Sequence, residues 1–312
     1  MYEKNYAVLK QIVAGHSVIR HVSKHRNPDG TFDLVGNKQI WNAALEKFDR
    51  IPLWKNGAPG FDDRDPLQPE PSIIFVPGAN PGKLRGTVIV AHGGGFESRT
   101  GCEGMNVALY FADRGFNTAI LTYRLKPYTR IDAMEDMQRA IRLLRERKEV
   151  LGITDKVAVM GFSAGGMLSG NCATHFDLGK PNSEDPIERQ SCRPDAAVVG
   201  YGAFAFTAFP AGLFRNPFAR DRQELYYLAP EANITLDTPP FFIWQTNSDD
   251  PRHSFALGSA LTAAGIPFEL HCFPDGIHGL ALADGENDLS MDIPHVHHWA
   301  ELCAEWLEDL AI

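Results

Sequence analysis

A serine hydroxyl becomes a useful nucleophile only when a base takes its proton and an acid steadies that base. Amide donors must also await the negative charge that develops on the attacked carbonyl. The sequence holds residues of each kind in a workable order. Gly161-Phe162-Ser163-Ala164-Gly165 fits G-x-S-x-G, with the apolar run Val157-Ala158-Val159-Met160 before it and small helix-compatible residues after it. That context describes a sharp strand-to-helix turn, where side chains flanking the serine would collide with neighbouring backbone; hence the glycines. Ser163 is the candidate nucleophile, exposed at a helix N-terminus where negative charge is favoured. In a chain with 28 glycines the pentapeptide recurs by chance, so its weight lies in the partners downstream.

His278 is the expected base. It follows the last apolar strand on the glycine-flanked loop Phe273-Pro274-Asp275-Gly276-Ile277-His278-Gly279. Loops leaving the C-terminal ends of parallel strands share one edge of a sheet, and the serine turn opens on that edge too. The acid is expected after the preceding strand, where Phe241 to Gln245 runs into Thr246-Asn247-Ser248-Asp249-Asp250-Pro251. Two carboxylates adjoin there and only one can point at His278: Asp250, directly before the proline, is the first choice and Asp249 the reserve. If neither serves, both are ordinary turn formers ahead of a helix, with Asp250 near its N-cap. For the oxyanion, His92-Gly93-Gly94-Gly95 ends another apolar strand, and a triple glycine leaves unencumbered amides. Gly94 and Gly95 are the expected donors, with the Ala164 amide beside the nucleophile.

These residues need a scaffold that brings strand ends together. Apolar, aromatic or β-branched runs at 72–77, 117–122, 157–160, 196–201, 241–245 and 268–273 predict strands, and the continuous apolar run at 86–91 predicts one buried on both faces. Helical periodicity predicts helices over parts of 1–25, 37–48, 105–114, 131–148, 254–264 and 294–310. In the 131–148 segment Met134, Met137, Ile141 and Leu144 form one stripe. Strand and helix alternate, which predicts an α/β class with a mostly parallel central sheet and helices on both faces. No repeat or linker divides the chain, so one domain over 1–312 is expected. Residues 1–70 form an N-terminal extension, with 51–61 as an extended loop, and about 203–240 form a cap or lid insertion. Trp41, Trp54 and the Phe-rich 204–218 stretch either line a substrate groove or close the core.

Composition narrows the partners. Thirty Lys+Arg against 39 Asp+Glu give a formal charge of -9, spread along the chain, so neither nucleic acid nor an anionic membrane is expected as a partner. The polar, charged start MYEKNYAVLK lacks the apolar core of a signal peptide, and no apolar stretch reaches membrane-spanning length, so a cytoplasmic location is expected. Cys102, Cys172, Cys192, Cys272 and Cys303 are odd in number and scattered without a C-x-x-C pair, indicating neither a disulfide framework nor a zinc site. His16, His21 and His25 do not share a helical face. His295, His297 and His298 lack a carboxylate or cysteine spaced to complete a site, so no metal is expected.

Taken together, HGGGF at 92–96, VMGFSAGGML at 159–168, the strand-end Asp-Asp and AGIPFELHCFPDGIHGL at 264–280 resemble the α/β-hydrolase superfamily. They are most similar to its acetylesterase/lipase branch, which includes carbohydrate acetyl esterases and hormone-sensitive-lipase-like esterases, over roughly residues 70–310. The resemblance implies a Ser-Asp-His triad falling on Ser163, Asp250 and His278. It also implies hydrolysis of short acyl esters, acetyl first and carbohydrate esters among them, through an acyl-enzyme without metal or cofactor. The expected partner is then a small-molecule or oligosaccharide ester. Two other readings share the fold: a prolyl-oligopeptidase-like peptidase, for whose propeller the chain has no room, and a non-catalytic ligand-binding protein, whose mark would be a lost triad member.

Overall fold

Strand-forming runs that are apolar at every position have no wet face, so they must lie inside a sheet covered on both sides. In the computed structural model, which describes residues 2–15, 27–79, 84–208, 219–287 and 289–312, the inner runs lie there, while the edge run at 268–273 is only partly buried. The helices are α1 (Glu3–Ala14), α2 (Leu34–Leu45), α3 (Val107–Asp113), α4 (Arg130–Glu146), α5 (Lys148–Leu151), α6 (Ala164–Thr174), α7 (Arg222–Tyr227), α8 (Arg252–Ala264) and α9 (Pro294–Asp309). The strands are β1 (Ile51–Pro52), β2 (Ser72–Val76), β3 (Thr87–Ala91), β4 (Asn117–Thr122), β5 (Val157–Phe162), β6 (Ala196–Gly200), β7 (Phe241–Thr246) and β8 (Phe268–Phe273). They form one eight-stranded sheet in the order β1-β2-β4-β3-β5-β6-β7-β8. β1 and β2 run antiparallel to their neighbours, and the pairings from β4 through to β8 are parallel.

Alternate side chains of each strand feed two cores. Val88 and Val90 of β3, with Ala158, Met160 and Phe162 of β5, join Leu9, Trp41, Phe111 and Trp299 beneath α1, α2, α3 and α9. Ile89, Ala91, Val157 and Val159 point the other way, to Met137, Ile141, Leu144, Leu168 and Leu257 beneath α4, α6 and α8. A fully buried Leu, Ile or Phe contributes roughly 1.5–3 kcal/mol against exposure, so the two layers together hold the sheet. α4 starts where it does because Thr129 and Asp132 cap it reciprocally: the Thr129 amide donates to the Asp132 carboxylate at 2.7 Å and the Asp132 amide to Thr129 Oγ1 at 3.3 Å.

Local readings shift at the edges. Ile51 and Pro52, expected within an extended loop, pair with Ile73 and Ser72 as a two-residue edge strand, a place where proline's missing N–H costs nothing. The helix expected over 105–114 is preceded by a wide π-type turn at Cys102–Asn106. In the 203–240 segment, the described parts hold short turns at Phe206–Ala208 and Pro230–Ala232 around α7. This segment is tied to α6 by an Asn171 side-chain amide donating to the Leu228 carbonyl at 2.6 Å. Trp41 and Phe204 are core residues, whereas Trp54 is half-buried between the guanidinium groups of Arg124 and Arg139. Residues 209–218, and with them much of the Phe-rich stretch, lie outside the described residues, as do His16, His21 and His25. Among the described residues, no helix is long and apolar enough to cross a membrane.

The chain runs from β3 outward to β4 and then returns to β5 on β3's other side, so strand order reverses at β3. That reversal opens a crevice at the C-terminal ends of β3 and β5, where Ala91 lies opposite Gly161. The connections leaving β3, β5, β6, β7 and β8 all meet at this edge.

Candidate active site

β5 ends at Phe162 and α6 begins at Ala164, which leaves Ser163 alone to make the turn. Its backbone is at φ 53 and ψ −119, a conformation disfavoured for a residue with a side chain and costing on the order of 1–3 kcal/mol. The Ser163 amide donates to the Gly200 carbonyl and the Met167 amide to the Ser163 carbonyl, both at 3.0 Å, holding the turn from both sides. A Cβ on Gly161 would lie 2.0 Å from the Gly165 carbonyl oxygen, and one on Gly165 would lie 2.1 Å from that of Ala91. Close approach of strand and helix therefore dictates both glycines of the motif.

The hydroxyl of Ser163 donates to His278 Nε2 at 2.7 Å. His278 Nδ1 donates in turn to Asp249 Oδ2, also at 2.7 Å, so the proton-bearing nitrogen is the one facing the carboxylate. The expected acid, Asp250, does not take this place. Its carboxylate is held by Arg252, which donates from Nε and Nη2 at 2.6 Å each. The tight turn after β7 (the Asp249 amide bonds the Thr246 carbonyl) sends neighbouring side chains in different directions, and the guanidinium two residues on captures the second.

Desolvation favours the neutral imidazole of His278, but the Asp249 hydrogen bond and charge, with the Glu103 charge, outweigh it and raise its pKa above the ordinary histidine value. A raised base loses its ability to accept the serine proton as pH falls through that pKa. The acid limb of a kcat/KM profile is therefore expected to have its midpoint above about 6.5, the unperturbed histidine value. A midpoint below about 6 would contradict the geometry.

Gly93, Gly94 and Gly95 follow β3 at the opposite wall. The Gly93 amide is taken by Thr100 Oγ1 and Glu103 Oε2, both at 3.0 Å. The amides of Gly94 and Gly95 bond no acceptor among the described residues, and Ala164 is the first residue of α6, so its amide has no partner within the helix. Gly94 adopts φ 108, and a Cβ there would lie 2.2 Å from the Ser98 carbonyl oxygen; Gly95 adopts φ 64 with open space around it. Gly94→Ala is accordingly expected to distort the loop and cut kcat by roughly 10²-fold, an effect of the size seen when one oxyanion donor is lost. Gly95→Ala meets only the left-handed backbone cost of about 1–2 kcal/mol. Steady-state kinetics with thermal melts on the two variants separate these outcomes.

His92, at the head of the same loop, is structural. Its ring stacks on Tyr123 at 4.4 Å and meets the edge of Trp41 at 5.1 Å, and Nδ1 donates to the Gly93 carbonyl at 2.7 Å. Burial and the charge of Arg99 push its pKa down to about 3, so it stays neutral. Two buried residues that sequence reasoning passed over border the site. Glu103 comes from the π-type turn, and Tyr201 stands at the end of β6, its ring edge-on to His278 at 5.1 Å. Tyr201 had a signal, since it follows an apolar strand at the edge where the serine and histidine loops were expected; Glu103 had none. In α9, His297 bonds the Leu282 carbonyl and His298 bonds Glu301, and no group of three potential metal ligands converges among the described residues.

A mostly parallel sheet with a serine on the strand–helix turn, hydrogen-bonded to a histidine after the last strand, defines an α/β hydrolase. More specifically, residues 74–257 match the family model described as BD-FAE, and the chain belongs to that family. Among solved structures it is similar to an acetyl ester-xyloside bifunctional hydrolase from Caldicellulosiruptor lactoaceticus, at 35% identity and a TM-score of 0.74, covering 84% of this chain and 96% of that one. A thermophilic esterase from Thermogutta terrifontis shares the fold at 22% identity and a TM-score of 0.65, covering 84% of this chain and 94% of that one. Among curated proteins, endo-1,4-beta-xylanase B of Butyrivibrio fibrisolvens is 30% identical over 303 residues; the match takes in 91% of this chain and 45% of that protein, so the chain spans less than half of it.

Proposed function

We propose that the chain is a serine carboxylesterase that removes short acyl groups, acetyl foremost, from acylated carbohydrates. The observation that carries the reading is the unbroken relay from Ser163 through His278 to Asp249, with 2.7 Å at each step. His278 takes the Ser163 proton as Oγ attacks the ester carbonyl. The oxyanion that results is met by the amides of Gly94, Gly95 and Ala164, and His278⁺, held by Asp249, returns its proton to the departing alcohol. Water then repeats the sequence on the acyl-enzyme and restores free Ser163. No group beyond these side chains and amides is required.

The carbohydrate part rests on the similar proteins: a hydrolase of acetyl esters and xylosides at 35% identity and a xylanase at 30%. A cavity of about 340 Å³ lies beside Phe96, the residue after Gly95, with Lys126, Tyr128, Arg130, Arg220 and Glu224 also in its lining. In this reading the described parts of 203–240 cap the site. Five free cysteines, four of them buried, suit a reducing compartment, and the cytoplasm is the proposed one. The test is hydrolysis of p-nitrophenyl acetate, butyrate and octanoate alongside acetylated xylo-oligosaccharides. Turnover falling steeply with chain length, with acetate released from the oligosaccharides, supports the reading. Absence of turnover on every ester by folded protein rejects it and favours a ligand-binding role.

A further inference from the structure

Glu103 is a carboxylate with 2% exposure inside a layer of apolar residues, and burying such a group costs several kcal/mol unless hydrogen bonds compensate. Its hydrogen-bond partners Gly93, Thr100 and Tyr201 belong to the walls of the active site. Oε2 accepts from the Gly93 amide at 3.0 Å and from the Thr100 hydroxyl, while Oε1 accepts from the Tyr201 hydroxyl at 2.8 Å. The Tyr201 oxygen then accepts the Ala281 amide at 2.9 Å, three residues beyond His278. Ala281 is itself in the left-handed region at φ 50, and the Trp299 indole N–H fixes its carbonyl at 3.0 Å. Resting on the esterase reading above, we propose that Glu103 is a positioning residue that, through Tyr201, ties the oxyanion loop to the histidine loop and holds both in register with Ser163.

Each link has a specific consequence. By taking the Gly93 N–H, Glu103 turns that peptide away from the crevice and leaves the next two amides to face it. Contact is tight: a Cβ on Gly93 would lie 2.1 Å from Glu103 Oε2 and 3.0 Å from Ser163 Cβ, so carboxylate, loop and nucleophile are packed as one unit. Across the crevice, the Ala281 bond restrains a strained residue, and its release lets the His278 loop relax. The charge adds a second effect. Asp249 and Glu103 are the carboxylates acting on His278, with Ser163 and Tyr201 its neutral neighbours, and both carboxylates favour the imidazolium.

Two variants separate the roles. Glu103→Gln keeps shape but removes the charge and disturbs the bonds; Tyr201→Phe keeps the charge and cuts only the link. Both are expected to lose roughly 10- to 100-fold in kcat on p-nitrophenyl acetate with KM changed by less than about threefold, as misplacement of reacting groups rather than lost binding predicts. Glu103→Gln alone should also lower the acid-limb midpoint and the His278 midpoint followed by imidazole NMR. A role confined to stability would lower Tm and leave the KM-against-kcat split and the His278 titration as in wild type. Folded variants with kcat within about twofold of wild type and an unmoved titration overturn the proposal. Wild type and Ser163→Ala run alongside test the esterase reading itself. If wild type hydrolyses nothing, that reading fails, and the NMR titration alone then decides whether Glu103 acts on His278. If Glu103→Gln does not fold, the kcat of Tyr201→Phe decides.

Discussion

Ser163→Ala is expected to reduce kcat on p-nitrophenyl acetate by about 10⁴- to 10⁶-fold, the largest loss available to a single substitution in this site. No other hydroxyl replaces it: Oγ is the atom 2.7 Å from His278 Nε2, and the turn that presents it accommodates one residue between β5 and α6. Alanine keeps the Cβ and inherits the same strained φ of 53, while the bonds to Gly200 and from Met167 are main-chain and survive. Stability should thus stay within about 0.5–1 kcal/mol of wild type, which makes the loss of rate a statement about chemistry. Kinetics with a thermal melt check both halves, and residual activity within tenfold of wild type would remove Ser163 from the mechanism. The residual rate should itself exceed that in water, because the amides of Gly94, Gly95 and Ala164 stay in place.

What could be read ahead of the structure follows from how local its cause is. The elbow at Ser163 was legible because its glycines answer to sterics within a few residues and to one neighbouring strand end, and the apolar run before it has only one environment that suits it. Parallel strands flanked by helices also announce themselves, since β3, β5, β6 and β7 are apolar on both faces. Strand order is another matter, because the reversal at β3 depends on which side the crossover after β4 takes. Glu103 lay beyond sequence reasoning for a different reason. Periodicity assigns a lone glutamate among Gly, Cys and Met to the surface, and only the partnership of Gly93, Thr100 and Tyr201 makes its burial affordable. Ile51-Pro52 reads as loop because two residues carry too little pattern to reveal a strand.

The adjacent aspartates show the same limit most sharply, and they yield the second large expected effect. In sequence Asp249 and Asp250 are equivalent turn residues after β7, and choosing the one before proline has no physical force once the turn is drawn. In space they divide the work. Asp249, 20% exposed at its side chain, faces His278, while Asp250, 39% exposed, is forked by Arg252 and lies 3.9 Å from His253 Nε2. Asp249→Asn is expected to lower kcat by about 10⁴-fold at neutral pH, because an amide that donates to Nδ1 forces the proton onto Nε2, the atom that must accept from serine. Removing that carboxylate also takes away the main influence raising the His278 pKa, so the acid limb should move to lower pH even as the plateau collapses. Asp250→Asn leaves the relay untouched. Its carboxylate is held below the ordinary aspartate range by the Arg252 hydrogen bond, and losing an exposed pair of this kind costs about 0–1 kcal/mol of stability with kcat within about threefold of wild type. The reverse ranking of the two variants, measured at one pH on one ester, would transfer the acid's role to Asp250 and require the turn after β7 to rearrange when substrate binds.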